Sequence, residues 1–156
     1  MGRDALGFDY YLSLAHLYDT KDLNMPTSHN QRRGAIAESK FITECLQRDF
    51  EPHVPVTPMP WDFIVTCPKG VLKVQIKSTR TNATANTYNI TAKAGHKRSE
   101  RMSDEIDVVG CYVCPADTWW LIPREEIKGK TVKLNPSKDS KSKHKKYQEN
   151  WSIFYE

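Results

Sequence analysis

Residues 61–78 read WDFIVTCPKGVLKVQIKS, two runs of β-favouring residues on either side of Cys67-Pro-Lys-Gly70. Proline and glycine at those places specify a tight turn, so the runs are expected to pair as a hairpin of Trp61–Thr66 and Val71–Ser78. Successive side chains of a strand point to opposite faces. Val74 and Ile76 therefore share the face that suits a core, and Gln75 and Lys77 share the other. An amide and an ammonium on one face of an otherwise apolar strand constrain the fold, because that face must meet polar groups or solvent.

The rest of the chain supplies the surroundings. Residues 5–18, ALGFDYYLSLAHLY, are apolar and aromatic and read as a helix. Residues 19–31 are polar, contain Pro26 and read as a linker, so 1–31 is expected to form a helical arm and 32–156 the main domain. Gly34–Arg48 reads as an amphipathic helix with Phe41, Ile42, Cys45 and Leu46 on one stripe. Glu38 falls on that stripe, where a carboxylate is costly unless a cation compensates it. Pro52, Pro55, Pro58 and Pro60 make an extended connector before the hairpin. Beyond it, strands are expected at Thr87–Ala92, Ile106–Cys114, Trp119–Ile122 and Thr131–Leu134. A basic loop is expected at 94–104, a short helical turn at Arg124–Ile127 and a closing helix at Tyr147–Phe154. One helix followed by several strands indicates an α/β (α+β mixed) fold with a central mixed sheet flanked by helices.

Hydrophobic residues make up 38% of the 156-residue chain and charged residues 27%, as in a folded globular domain. The formal net charge is +4, and five lysines crowd into 138–146. That balance leans towards a polyanionic partner. No apolar run approaches the roughly 20 residues of a membrane span, and no apolar signal core opens the sequence. The expected setting is intracellular and cytoplasmic, with no membrane association. Cys111 and Cys114 form a C-x-x-C, but residues three apart on a strand point to opposite faces, so plain thiols are expected rather than a zinc site.

Asp62 opens the strand that pairs with the Gln75/Lys77 strand, and Glu38 precedes it on a helix able to pack beside the hairpin. Two carboxylates, an amide oxygen and an ammonium would then meet. The carboxylates together balance a divalent cation, whose hard character favours oxygen donors such as the amide carbonyl. Lys77 adds a charge suited to a phosphate or to an attacking water. Taken singly, each residue is equally a surface polar group.

The ordered set G-A-I-A-E38, W-D62-F-I-V and V-Q75-I-K77-S-T resembles the PD-(D/E)XK nucleases. It is most similar to the branch whose third motif is Q-x-K, which includes homing endonuclease-like proteins of cyanobacterial group I introns and related phage and bacterial nucleases. The resemblance extends over roughly residues 32–154, through Asp107, Trp119-Trp-Leu-Ile-Pro123 and the Tyr147…Trp151 segment. It departs from the family pattern at Trp61, where a proline is usual, and at Gln75, where an acidic residue is usual. The second departure leaves one negative charge fewer and puts a tightly held second metal in doubt.

The resemblance implies a restriction-endonuclease-like fold and magnesium-dependent hydrolysis of double-stranded DNA, Mn2+ being a possible substitute, in a site-specific, homing-type manner and without a small-molecule cofactor. It implies Asp62, Glu38, the Gln75 oxygen and the Ile76 carbonyl as metal ligands, with Lys77 assisting the nucleophilic water. Ser78, Thr79 and Arg80, together with His96, Lys97, Arg98 and Arg101, are candidates for DNA contact. So is the lysine run, and Asn82, Thr84, Asn86 and Asn89 are of the type that reads base edges. One site per chain and two strands to cut imply a homodimer or homotetramer. A junction-resolving or repair nuclease of the same fold, or a DNA-binding module that has lost cleavage, are the alternatives. A bacterial or phage-infected cell is the implied setting.

Overall fold

The computed structural model describes residues 28–93 and 102–156. The helix expected at 5–18, and His96, Lys97, Arg98 and Arg101, lie outside the described residues. By internal contacts the chain divides into Met1–Gln31 and Arg32–Glu156, and the fold below is that of the second unit with the start of the helix that leads into it.

Helix α1 spans His29–Leu46, earlier at both ends than the apolar stripe indicates. Its start is set by reciprocal bonds: Ser28 N donates to Gln31 Oε1 at 2.7 Å, and Gln31 N donates to Ser28 Oγ at 3.3 Å. This Ser-x-x-Gln pairing satisfies backbone donors that a helix leaves without partners. At the other end Asp49 takes a left-handed φ of 58° and turns the chain.

The strands are β1 (Glu51–His53), β2 (Phe63–Cys67), β3 (Gly70–Thr79), β4 (Asn82–Thr84), β5 (Thr87–Thr91), β6 (Val108–Val113), β7 (Thr118–Pro123) and β8 (Thr131–Leu134). Five of them form a sheet in the order β1-β2-β3-β6-β7, and β4-β5-β8 form a second sheet. The hairpin of β2 and β3 is antiparallel, with Cys67 opposite Gly70 and Phe63 opposite Val74. Gly70 sits at φ 127°, which a side chain would disfavour. β3 and β6 run parallel, Ile76 opposite Gly110 and Lys77 opposite Cys111, so the sheet is mixed. β1 was expected as plain connector. Pro52 is tolerated there because β1 is an edge strand with a single partner.

Every residue of β6 is buried, as befits a central strand covered on both faces. One face of the large sheet, with Phe63, Val65, Val74, Ile76, Val108 and Leu121, packs on Ala37, Phe41 and Cys45 of α1 and on Trp151 and Phe154. The other face, with Val109, Cys111, Val113, Trp120 and Ile122, packs on Tyr88, Ile90, Val132 and Leu134 of the small sheet. Among the described residues, α1 is the one α-helix, and the second flank of the sheet is a sheet rather than a helix.

The expected closing helix is instead two short 3-10 turns, Lys145–Tyr147 and Trp151–Phe154. Glu149 interrupts them at φ 51°. Its backbone N donates to Trp119 O at 2.8 Å, while its carboxylate accepts from Thr118 Oγ1 at 2.7 Å and Trp119 N at 2.6 Å. The chain gives up a helix there to hold the edge of β7. Cys111 and Cys114 are free and pack on opposite sides of the sheet, Cys111 within β6 and Cys114 in the turn that follows it. Burial pushes the Cys111 thiol up to about 12.

Candidate active site

Asp62 is the node of the site. β2 begins at Phe63, and one residue earlier the pairing with β3 continues through both backbone and side chain. Asp62 N donates to Val74 O at 2.9 Å, and Asp62 Oδ2 accepts the Ile76 N–H at 2.7 Å. The side chain thus takes a strand N–H in place of a backbone carbonyl, which fixes its rotamer. Gln75 Nε2 donates to the same oxygen at 2.6 Å and lies 3.4 Å from Ile76 O. Hairpin register brings these residues together, since Phe63 lies opposite Val74.

Glu38 reaches the site from α1. Burial raises its pKa first and the negative charge of Asp62 raises it further. The Asp62 carboxyl is also raised, chiefly by burial, while the Ile76 N–H and the charge of Lys77 act in the opposite direction. Two half-buried carboxylates repel each other, and the charge of Lys77 offsets that of Asp62. Among the described residues no three His, Cys, Asp or Glu side chains gather at one point. A cation here would take two carboxylates and neutral oxygens. The repulsion between Glu38 and Asp62 is the electrostatic condition that a divalent cation relieves, so the donor set fits one.

Ser78 and Thr79 continue β3 beyond Lys77, half-buried and opposite Tyr112 and Val113, and Arg80 follows in solvent. Asn82, Thr84 and Asn86 are exposed on the β4–β5 hairpin, and Asn89 is exposed on β5 opposite Lys133. Asp107 stands apart: its Oδ2 accepts from Lys73 N at 2.7 Å and its N donates to Lys73 O at 2.9 Å, which pins the start of β6 to β3.

Two features escaped the sequence. Lys73 shares the Gln75/Lys77 face by the same alternation, and its Nζ lies 4.3 Å from the Trp61 ring, beside Asp62. The i, i+2 rule alone was sufficient to find it. Lys40 of α1 donates to Asp117 Oδ1 at 2.9 Å, and the Tyr112 hydroxyl donates to the same oxygen. That cluster joins residues 77 positions apart, and no local pattern announces it.

The sequence profile of the PD-(D/E)XK endonuclease family matches residues 28–154. The chain belongs to the PD-(D/E)XK endonuclease family. Membership makes it an endonuclease, as its motifs implied. No curated protein matches the sequence. Among solved structures it is similar to a bacterial homing endonuclease, I-Ssp6803I, with a TM-score of 0.70 and 19% identity over 83% of this chain and 93% of that one. At that identity the likeness is one of fold, and it includes the mixed central sheet of this PD-(D/E)XK endonuclease.

Proposed function

We propose that this endonuclease hydrolyses phosphodiester bonds of double-stranded DNA at a defined site, with Mg2+ as its cation and Mn2+ able to replace it. The observation that carries this is the Asp62 carboxylate, bonded by Gln75 and Ile76, repelled by Glu38 and attracted by Lys77.

Asp62 and Glu38 would hold the cation through their carboxylates, joined by the Gln75 side-chain oxygen and the Ile76 carbonyl. Gln75 now presents its nitrogen to Asp62, so ligation needs its amide turned over. A bound divalent cation would polarise the scissile phosphate and lower the pKa of a water. Lys77 holds its ammonium beside Asp62, where it orients the attacking water and offsets charge growing on the phosphate. Ser78, Thr79 and Arg80, next along the same strand, supply hydroxyls and a guanidinium to flanking phosphates. Cleavage of both strands calls for two such sites, hence two or four copies of the chain.

Plasmid nicking tests the proposal. Wild type with Mg2+ converts supercoiled DNA to open and linear forms, and Lys77→Ala does not. DNA that is bound but left intact by both proteins points instead to a binding module, and preferential cutting of branched DNA points to a junction-resolving enzyme.

A further inference from the structure

The run of residues between β8 and the closing turns is a built loop. Lys145 Nζ donates to Ser137 O at 2.6 Å and to Gln148 Oε1 at 2.7 Å, which ties the start of the loop to its end. Ser142 Oγ donates to Lys133 O at 3.3 Å, and Ser142 N donates to Ser140 Oγ at 3.2 Å. The loop so held borders an open cleft of about 750 Å³ against β5 and β8. Lys133, Lys141 and Lys143 line it, opposed there by the single carboxylate of Asp139. Ser137, Ser140 and Thr87 add hydroxyls to the lining. Ser140 Oγ accepts a bond, which leaves its own proton to donate.

His144 also faces this cavity, and its Nε2 is buried without a hydrogen-bond partner. A buried ring nitrogen without a partner is costly. Burial lowers the His144 pKa, and Lys143 and Lys146 add to that, while a bond to the Lys133 backbone and the charge of Glu126 oppose it. With the bond to the Lys133 backbone made by Nδ1–H, Nε2 is the acceptor nitrogen of the neutral ring, so an anion placed here would pair with the lysines, and with His144 only on uptake of a proton by the ring. The other lysines of the loop do not share this arrangement: Lys138 is exposed and outside the lining, and Lys146 lies 4.8 Å from the Tyr147 ring.

We propose that the cavity between the lysine-rich loop and the small sheet is a phosphate-binding subsite, separate from the Asp62 centre, that seats a backbone phosphate of the DNA. The assignment rests on the proposed function for the source of the phosphate, and free inorganic phosphate is the other source with the same chemistry. Three lysines and several serine and threonine hydroxyls lining the cleft match a phosphate's charge and its several acceptor oxygens. Affinity gained there adds to DNA binding without touching the bond that breaks.

The test compares two double variants of full-length protein in duplex binding without divalent cation, across a range of salt. Lys141→Gln/Lys143→Gln removes cavity charge, and Lys138→Gln/Lys146→Gln removes equal charge from the same loop outside the cavity. The first is expected to weaken binding roughly 10- to 100-fold and to lower the slope of log K against log salt by about 1. The second should have a clearly smaller effect, and both should melt like wild type. Equal losses from the two variants overturn the subsite and leave only a diffuse basic surface. In parallel, the ring-proton NMR signals of His144 are followed in wild type. Movement on adding duplex assigns the seat to DNA phosphate, and movement on adding inorganic phosphate alone assigns it to the free ion. Signals indifferent to both refute the subsite. A duplex that fails to bind wild type even at low salt sinks the DNA function, and the inorganic phosphate titration then decides the cavity by itself.

Discussion

Asp62 accepts two hydrogen bonds on one oxygen while Glu38 repels it and Lys77 attracts it, so each partner has a distinct signature. Lys77→Ala should cut the cleavage rate by roughly 100-fold or more and leave duplex affinity nearly intact, as a gel-shift assay run beside the nicking assay would show. The carboxylates give a pH signature. Both pKa values are raised in the folded chain, so the native state binds more protons than the unfolded one, and metal-free stability falls as pH rises through the raised values. Glu38→Gln removes one of the opposed charges. At alkaline pH without divalent cation it should melt above wild type, and addition of Mg2+ should stabilise wild type more than the variant. Cleavage by wild type should decline on acidification through the same range, as protons compete for the carboxylates. An equal rise in melting temperature on adding Mg2+ to the two proteins would remove the case for Glu38 as a ligand. The parity of β3 was enough to place Gln75 and Lys77 together from the sequence, and Asp62 followed from the turn. Which end of the Gln75 amide meets Asp62 was not legible, because a cation and a carboxylate demand opposite ends.

The site depends on how closely β3 and β6 pack. A Cβ added at Gly110 would come within 2.8 Å of Ile76 Cδ1 and 3.5 Å of the Trp119 ring. Gly110→Ala should therefore cost about 1–3 kcal/mol by forcing Ile76, whose N–H holds Asp62, to shift. A drop in the urea midpoint at constant slope, together with slower cleavage, is the expected result. Helix α1 packs on the same face as Ile76 and Trp119 through Phe41, whose ring centroid is 5.4 Å from Phe63 and 6.0 Å from Trp151. Phe41→Ala should cost about 3–5 kcal/mol, read from the same urea titration, and loosen the helix that carries Glu38. The alternating strands were legible because burial on one face imposes period two. The helix start was missed because the apolar stripe begins after the Ser28–Gln31 capping pair that sets it. The closing helix failed for a tertiary reason. Residues from Tyr147 to Phe154 have helical spacing, but the bonds of Glu149 to Thr118 and Trp119 hold it in a left-handed conformation no α-helix accommodates.

At the scale of the whole molecule, the large sheet carries the proposed cleavage residues on β3 and just before β2, and the small sheet with its loop borders the basic cleft. Opposite faces of β6 serve as the core for each side, so the division of labour follows from one strand buried on both faces. That division was only partly legible, because β4, with its three exposed residues, has no buried alternation to betray it. One Asp62 centre per chain also sets a limit on what a single copy can do to a duplex. If two copies act together, each centre cuts one strand. Wild-type and Lys77→Ala chains, differently tagged, co-expressed and purified as a mixed assembly, should then nick plasmid without linearising it, whereas the all-wild-type assembly linearises it. The mixed assembly is informative because its folding and DNA contacts are those of wild type, and only one of the two waters lacks its ammonium. Linear product from the mixed assembly at the wild-type rate would mean that one centre cuts both strands in turn, and a second copy would then have no catalytic role.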